Sequence, residues 1–159
     1  MPPSFSDRLL AWWDKNGRKD LPWQHPRTPY RVWISEIMLQ QTQVTTVVPY
    51  FERWMNSFPD IKSLASTSQD EILAHWAGLG YYARARNIHK TAIACLEQHG
   101  GELPMGRDEL TALPGIGLST ANAIISQSTD KPAAVLDGNV RRVLARHTAT
   151  GGWTGSASV

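Results

Sequence analysis

Cysteine is almost absent from this chain: Cys95 is the only one in 159 residues. That excludes an intramolecular disulfide and any four-cysteine metal site built from this chain alone. Long apolar runs are missing as well, and nothing approaches the roughly 20 consecutive apolar residues of a membrane helix. Charges in "MPPSFSDRLLAWWDKNGRKD" break any signal-peptide core, so the expectation is a soluble, unexported, cytoplasmic protein with no membrane partner. Charge of one sign is not in excess either. Sixteen Lys and Arg against 14 Asp and Glu leave a formal net charge of +2, so only local clustering could mark a nucleic-acid surface. Sustained alternation of apolar and polar residues, the mark of a half-buried strand, is also missing.

What is there is an apolar residue every three or four positions almost throughout, which predicts an all-α chain. The spacing predicts helices over 6–16, 30–39, 44–56, 69–77, 83–99, 107–112, 118–128 and 139–147. Short punctuation separates them: Asn16-Gly17, Pro26 and Pro29, Pro59, "GLG" at 78–80, Gly100-Gly101 and Pro114-Gly115. The chain is long enough for one core and shows no internal linker. Cys95 in "TAIACLEQ" falls on an apolar stripe, as a core thiol does. The tail "TGGWTGSASV" is polar and glycine-rich, which predicts a frayed or artificial end.

Four stretches carry chemistry. In "YRVWISEIMLQQTQV", Glu36 sits among Val32, Trp33, Ile37 and Leu39 on an apolar helix. Either it lies at the edge of the stripe or against a basic partner, or burial raises its pKa so that it can hold and donate a proton. In "LTALPGIGLSTANAII", two helices flank a Pro-Gly-Ile-Gly turn. Gly115 and Gly117 let the backbone approach another surface and leave helix-start amides unpaired, a seat for phosphate, although an ordinary interhelical turn would use the same residues. This is the helix-hairpin-helix pattern of sequence-independent DNA backbone binding. "GLGYYARARNIHK" interleaves Tyr81 and Tyr82 with Arg84, Arg86 and Lys90, suiting a nucleic-acid strand through charge and stacking. In "VLDGNVRRVLARH", Asp137 or Asn139 caps a helix whose first amides favour an ionised carboxylate. One carboxylate in apolar surroundings and one in polar surroundings form the acid-and-anion pair used to break a glycosidic bond.

Together with "RKDLPWQ" and "MLQQTQVTTVVPYFERW", these stretches closely resemble the adenine DNA glycosylases of the MutY family, within the endonuclease III-like helix-hairpin-helix superfamily. The resemblance runs from about Leu10 to Trp153. It implies the helix-hairpin-helix glycosylase fold, with an N-terminal segment at 1–28, a six-helix domain at 29–140 and the start of a returning segment at 141–159. It implies an enzyme that flips out adenine mispaired with 8-oxoguanine or guanine in double-stranded DNA and hydrolyses its N-glycosidic bond, acting as a monomer.

Under that resemblance Glu36 is the acid that protonates adenine at N7, and an apolar helix is the place to keep it protonated. Asp137 stabilises the oxocarbenium-like sugar, with Asn139 supporting it. Trp23, Gln24, Leu39 and Val44 would line the adenine pocket, and Gln41 and Tyr81 would wedge into the duplex. Backbone carbonyls of Thr111, Leu113 and Ile116 would hold a monovalent cation. Ser119 stands where strand-cleaving relatives place a Schiff-base lysine, which implies a monofunctional glycosylase. The family also carries four cysteines for a 4Fe–4S cluster and a further domain, none of which is in this chain, so the expectation is a C-terminally truncated sequence. A noncatalytic DNA-binding fragment and an endonuclease III-like lyase are the other two readings.

Overall fold

The computed structural model describes residues 1–152, so the glycine-rich tail from residue 153 onward lies outside the described residues. Among the described residues every regular element is a helix: α1 (Phe5–Asn16), α2 (Pro29–Leu39), α3 (Val44–Ser57), α4 (Ile61–Ser66), α5 (Gln69–Trp76), α6 (Ala83–Gln98), α7 (Arg107–Thr111), α8 (Leu118–Ser128) and α9 (Gly138–His147). Five of the starts follow from side-chain capping. Ser4, Thr28, Asp60, Ser68 and Asp137 cap their helices through the side chain, and Pro29 opens α2 where its missing N–H costs nothing.

α4 was not foreseen from the spacing. Its apolar content is only Ile61, Leu64 and Ala65, too short for a periodic signal, and Pro59 reads as a plain break. The capping box between Asp60 and Ser63 nucleates it, and burial of Ile61 and Leu64 holds it against α6.

α2 is the central element. Tyr30, Val32, Trp33, Ile34, Ser35, Ile37 and Met38 are all buried, and the helix packs on α3, α6 and most extensively α8. An aromatic cluster lies beside it, where Trp54 meets Trp76 at 5.8 Å and Phe58 at 5.1 Å, both edge-on. The Tyr30 hydroxyl donates to the Phe58 carbonyl at 2.6 Å and accepts from the Trp54 indole at 3.2 Å, so its burial carries no unpaired polar atom. Trp33, Trp54, Trp76 and Phe51 are fully buried, each contributing about 1.5–3 kcal/mol by leaving water. Cys95 is buried on α6 as expected, and burial pushes its thiol pKa up to about 11. α1 and α9 bury no residue and touch through Phe5 and His147, whose rings lie 4.3 Å apart.

Candidate active site

The end of α2, the start of α8 and the start of α9 enclose a cleft of about 1030 Å³. Glu36, Leu39, Gln41, Val44, Ser119, Asp137, Asn139 and Arg142 are among its lining residues. The two carboxylates that the sequence holds far apart thus face one space.

Glu36 reaches the cleft from the buried helix with its side chain half-covered. Burial raises its carboxyl pKa above the ordinary value; a hydrogen bond from Gln127 opposes that rise, and the negative charge of Asp137 adds to it. The Gln127 amide donates to Glu36 Oε1 at 3.0 Å. Its half-covered position lies at the edge of the apolar stripe, and among the described residues its side-chain partner is Gln127 and no basic group.

Asp137 is delivered differently. After α8 the chain bends at 129–131 and runs on as a strap without regular structure to 137, and Asn122, buried on α8, pins it by donating to the Ala134 carbonyl at 2.7 Å. At the strap's end Asp137 caps α9, accepting the Val140 N–H at 2.8 Å, and it remains exposed on the cleft wall. Asn139 accepts from Arg142 at 3.0 Å, which fixes both side chains along the same wall.

The rim is built from two loops in unusual backbone conformations. Gln41 and Tyr81 both have positive φ, at 57° and 48°, without being glycine. Arg84 ties these loops together. Its Nη1 donates to the carbonyls of Ile37 at 2.9 Å, Met38 at 3.2 Å and Gln40 at 2.6 Å, and its Nη2 to Leu79 at 3.3 Å and Gly80 at 3.2 Å. The guanidinium also lies 5.0 Å from the Trp76 ring and 5.6 Å from that of Tyr81. Desolvation lowers its pKa. Expected as a phosphate contact, Arg84 instead directs its guanidinium at carbonyls of the protein itself, at the end of α2 where helix carbonyls keep acceptor capacity and only Ile37 among the three also takes a backbone amide, that of Gln40. Arg86, one position past the next, is exposed, as are Tyr81 and Tyr82. Tyr82 stands as N-cap of α6, and its hydroxyl accepts from the Gly78 amide at 3.4 Å.

The helix-hairpin-helix turn lies between α7 and α8. Gly115 has φ of 76°, and a β-carbon there would stand 2.8 Å from that of Asn87. Thr91 of α6 holds the turn by donating to the Pro114 carbonyl at 2.9 Å. Gly117 precedes α8 in open space, and no side chain caps the amides that follow. The Leu113 carbonyl accepts the Ile116 amide at 3.3 Å, and Thr111 is the last residue of α7.

Two expected pocket residues do not line the cleft. Trp23 is buried edge-on against Phe51 at 5.5 Å, and Gln24 closes its own turn by accepting from the Leu21 amide and donating to the Arg18 carbonyl. Both are drawn away by nearer partners, one by apolar packing and the other by unpaired backbone. Gln127, Asn122 and Arg142 went unnoticed in the sequence. Gln127 could have been found, since it follows Thr120 and Ile124 on the buried stripe of α8 just as Glu36 interrupts that of α2.

As for a cluster, the chain offers one buried thiol, and no group of three or more His, Cys, Asp or Glu side chains stands together among the described residues. These residues do not fit a 4Fe–4S cluster.

Residues 34–158 match the HhH-GPD superfamily of base excision DNA repair proteins. The chain belongs to this superfamily. It is similar to the adenine DNA glycosylase of Buchnera aphidicola subsp. Schizaphis graminum, with 51% identity over 143 residues covering 90% of this chain and 41% of that protein. The Mus musculus adenine DNA glycosylase is 44% identical over 157 residues, covering 93% of this chain and 30% of the mouse protein. Both alignments leave more than half of the relative unmatched, so the chain spans a minority of their length. Among solved structures, a thermostable thymine-DNA glycosylase superposes with a TM-score of 0.80 at 29% identity, over 86% of this chain and 63% of that one. A non-covalent endonuclease III–DNA complex gives 0.79 at 25% identity, over 94% and 68%. The expected all-helical glycosylase fold of the HhH-GPD superfamily is therefore the fold found.

Proposed function

We propose that this chain is the catalytic part of a DNA glycosylase that hydrolyses the N-glycosidic bond of adenine mispaired with 8-oxoguanine or guanine in double-stranded DNA, working as a monomer in the cytoplasm at the nucleoid. The observation that carries this is the pair of carboxyl groups across one cleft, Glu36 in apolar surroundings and Asp137 at an exposed helix start. Glycosidic cleavage needs one of each.

In this reading Glu36 holds a proton near neutral pH and passes it to N7 of the flipped adenine, which weakens the bond to the sugar as electrons move into the base. Positive charge then builds on the sugar, and Asp137 faces it as an anion with Asn139 alongside. Water completes the substitution, returning a proton to Glu36. Leu39 and Val44 contact the adenine, while Gln41 and Tyr81 enter the duplex from the rim. Phosphates sit on the open amides after Gly115 and Gly117, with Tyr82 and Arg86 as further DNA contacts, and the carbonyls of Thr111, Leu113 and Ile116 would hold a monovalent cation that would supply positive charge at the turn. Ser119 offers a hydroxyl where a strand-cleaving enzyme needs an amine, so the abasic strand stays intact.

The test is single-turnover release of adenine from a duplex with one A:8-oxoguanine pair, followed by alkali to reveal abasic sites. Wild type releases adenine, Glu36→Gln binds the duplex without releasing it, and borohydride traps neither protein on DNA. Binding without turnover by both proteins would make the chain a DNA-binding module instead. Efficient trapping of wild type would make it a lyase.

A further inference from the structure

Glu36 has two oxygens, and the structure treats them differently. Oε1 accepts the Gln127 amide at 3.0 Å, whereas Oε2 has no hydrogen-bond partner among the described residues, and Glu36 lines the cleft. Gln127 itself is half-buried on α8, the helix that packs most extensively against α2, so its position relative to Glu36 is set by the core. An amide N–H can only donate, and an oxygen that accepts it with a good bond is a poor place for a proton.

We propose that Gln127 is a positioning residue for Glu36: by occupying Oε1 it turns Oε2 toward the base and makes that oxygen the one that carries the transferable proton. This rests on the glycosylase reading given above. The same bond stabilises the ionised carboxylate, opposing the burial and the Asp137 charge that favour the protonated form. Gln127 therefore fixes the geometry of the acid while narrowing the pH range over which it stays protonated.

The other groups around Glu36 leave this role to Gln127. From α9 come Asp137 and Arg142, the latter tied to Asn139. From α8 come the uncharged Ser119 and Thr120, and from α3 the apolar Val44. Arg84 of α6 is engaged on the carbonyls beyond Glu36.

The experiment uses the full chain carrying glutamate labelled with ¹³C at the carboxyl carbon. The Glu36 signal is assigned by its loss in Glu36→Gln and titrated in wild type, Gln127→Leu and Gln127→Met, two replacements of similar volume that cannot donate. Single-turnover adenine release is measured across the same pH range. We expect the Glu36 midpoint to rise in both variants. The alkaline limb of the rate profile should move up with it, while the plateau falls about three- to tenfold because the carboxyl group is no longer held. Above the wild-type midpoint the loss should then shrink with pH. An unmoved midpoint overturns the proposal, including where the variants lose only thermal stability. A midpoint that moves in a wild-type background releasing no adenine upholds the carboxyl-holding role and sinks the hydrolytic reading instead.

Discussion

Replacing Arg84 with alanine separates a structural cation from a DNA-binding one. Five carbonyls in two segments lose the Arg84 donor, although Ile37 keeps the Gln40 amide and Gly80 keeps the Trp76 indole, and the Trp76 ring loses the cation above it. The bonds share two nitrogens, and the Gln40 carbonyl can turn to water, so the loss is best counted by segment. Charged-donor bonds of about 1.5–3 kcal/mol where shielded, discounted where exposed, give roughly 2–4 kcal/mol, with about 0.5–1 kcal/mol more from the ring. For a domain of this size that lowers Tm by about 5–15 °C. Duplex affinity should fall too, because the rim loops of Gln41 and Tyr81 lose their tie. The slope of log affinity against log salt should stay at its wild-type value, since no phosphate contact is removed. Arg86→Ala, at an exposed position of α6, should do the reverse, leaving Tm within about 1 °C while flattening the slope by about 0.9. Thermal melts and a salt series of duplex titrations read both quantities. Flattening by about 0.9 in Arg84→Ala with no loss of Tm would refute the assignment.

Three further outcomes follow from the geometry. Burial raises the Glu36 carboxyl above its ordinary 4.5, so wild type loses stability as pH rises from that value through the folded one, and urea midpoints for Glu36→Gln should gain on wild type over that window and not below it. A pH-independent difference would contradict this. Gly115→Ala meets both a positive φ and the β-carbon of Asn87, and should lose about 1–3 kcal/mol in chemical denaturation together with duplex affinity; retention of both would remove the turn's conformational constraint. Tyr30→Phe strands the buried Trp54 indole N–H and the Phe58 carbonyl, and should cost about 1–3 kcal/mol while leaving duplex affinity intact; a denaturation midpoint equal to wild type would contradict it.

Much of the architecture was legible because helix periodicity and punctuation are local properties. α2 and α8 begin where capping and glycine put them, and Glu36 stood out by interrupting an apolar stripe. α4 escaped because a six-residue helix carries too little periodicity, its existence resting on a capping box and two buried side chains. Arg84 was misjudged for a different reason. In sequence it belongs to a run of aromatics and cations, and nothing local reveals that the carbonyls at the end of α2 lie within reach of it. Trp23 and Gln24 likewise reveal only in three dimensions that Phe51 and their own turn claim them.

The two carboxyl groups also differ in what the fold must do to provide them. Asp137 stands at a helix start, where capping α9 and facing the cleft require the same exposed position, so stability and the proposed role agree. Glu36 works against the core that holds it. Its helix is buried because its other faces are apolar, and that burial makes the ionised carboxylate unfavourable where a solvated residue would stabilise the fold better. A glutamine in its place would fit the Gln127 contact without the desolvation penalty, yet it could donate no proton. The strap pinned by Asn122 shows how little extra structure is then needed: one side-chain bond from α8 holds the segment that brings Asp137 to the cleft that Glu36 also lines. Strain and instability are thereby concentrated in Glu36 and in the two positive-φ rim residues, and Arg84 and Gln127 are the side chains that hold those places in shape.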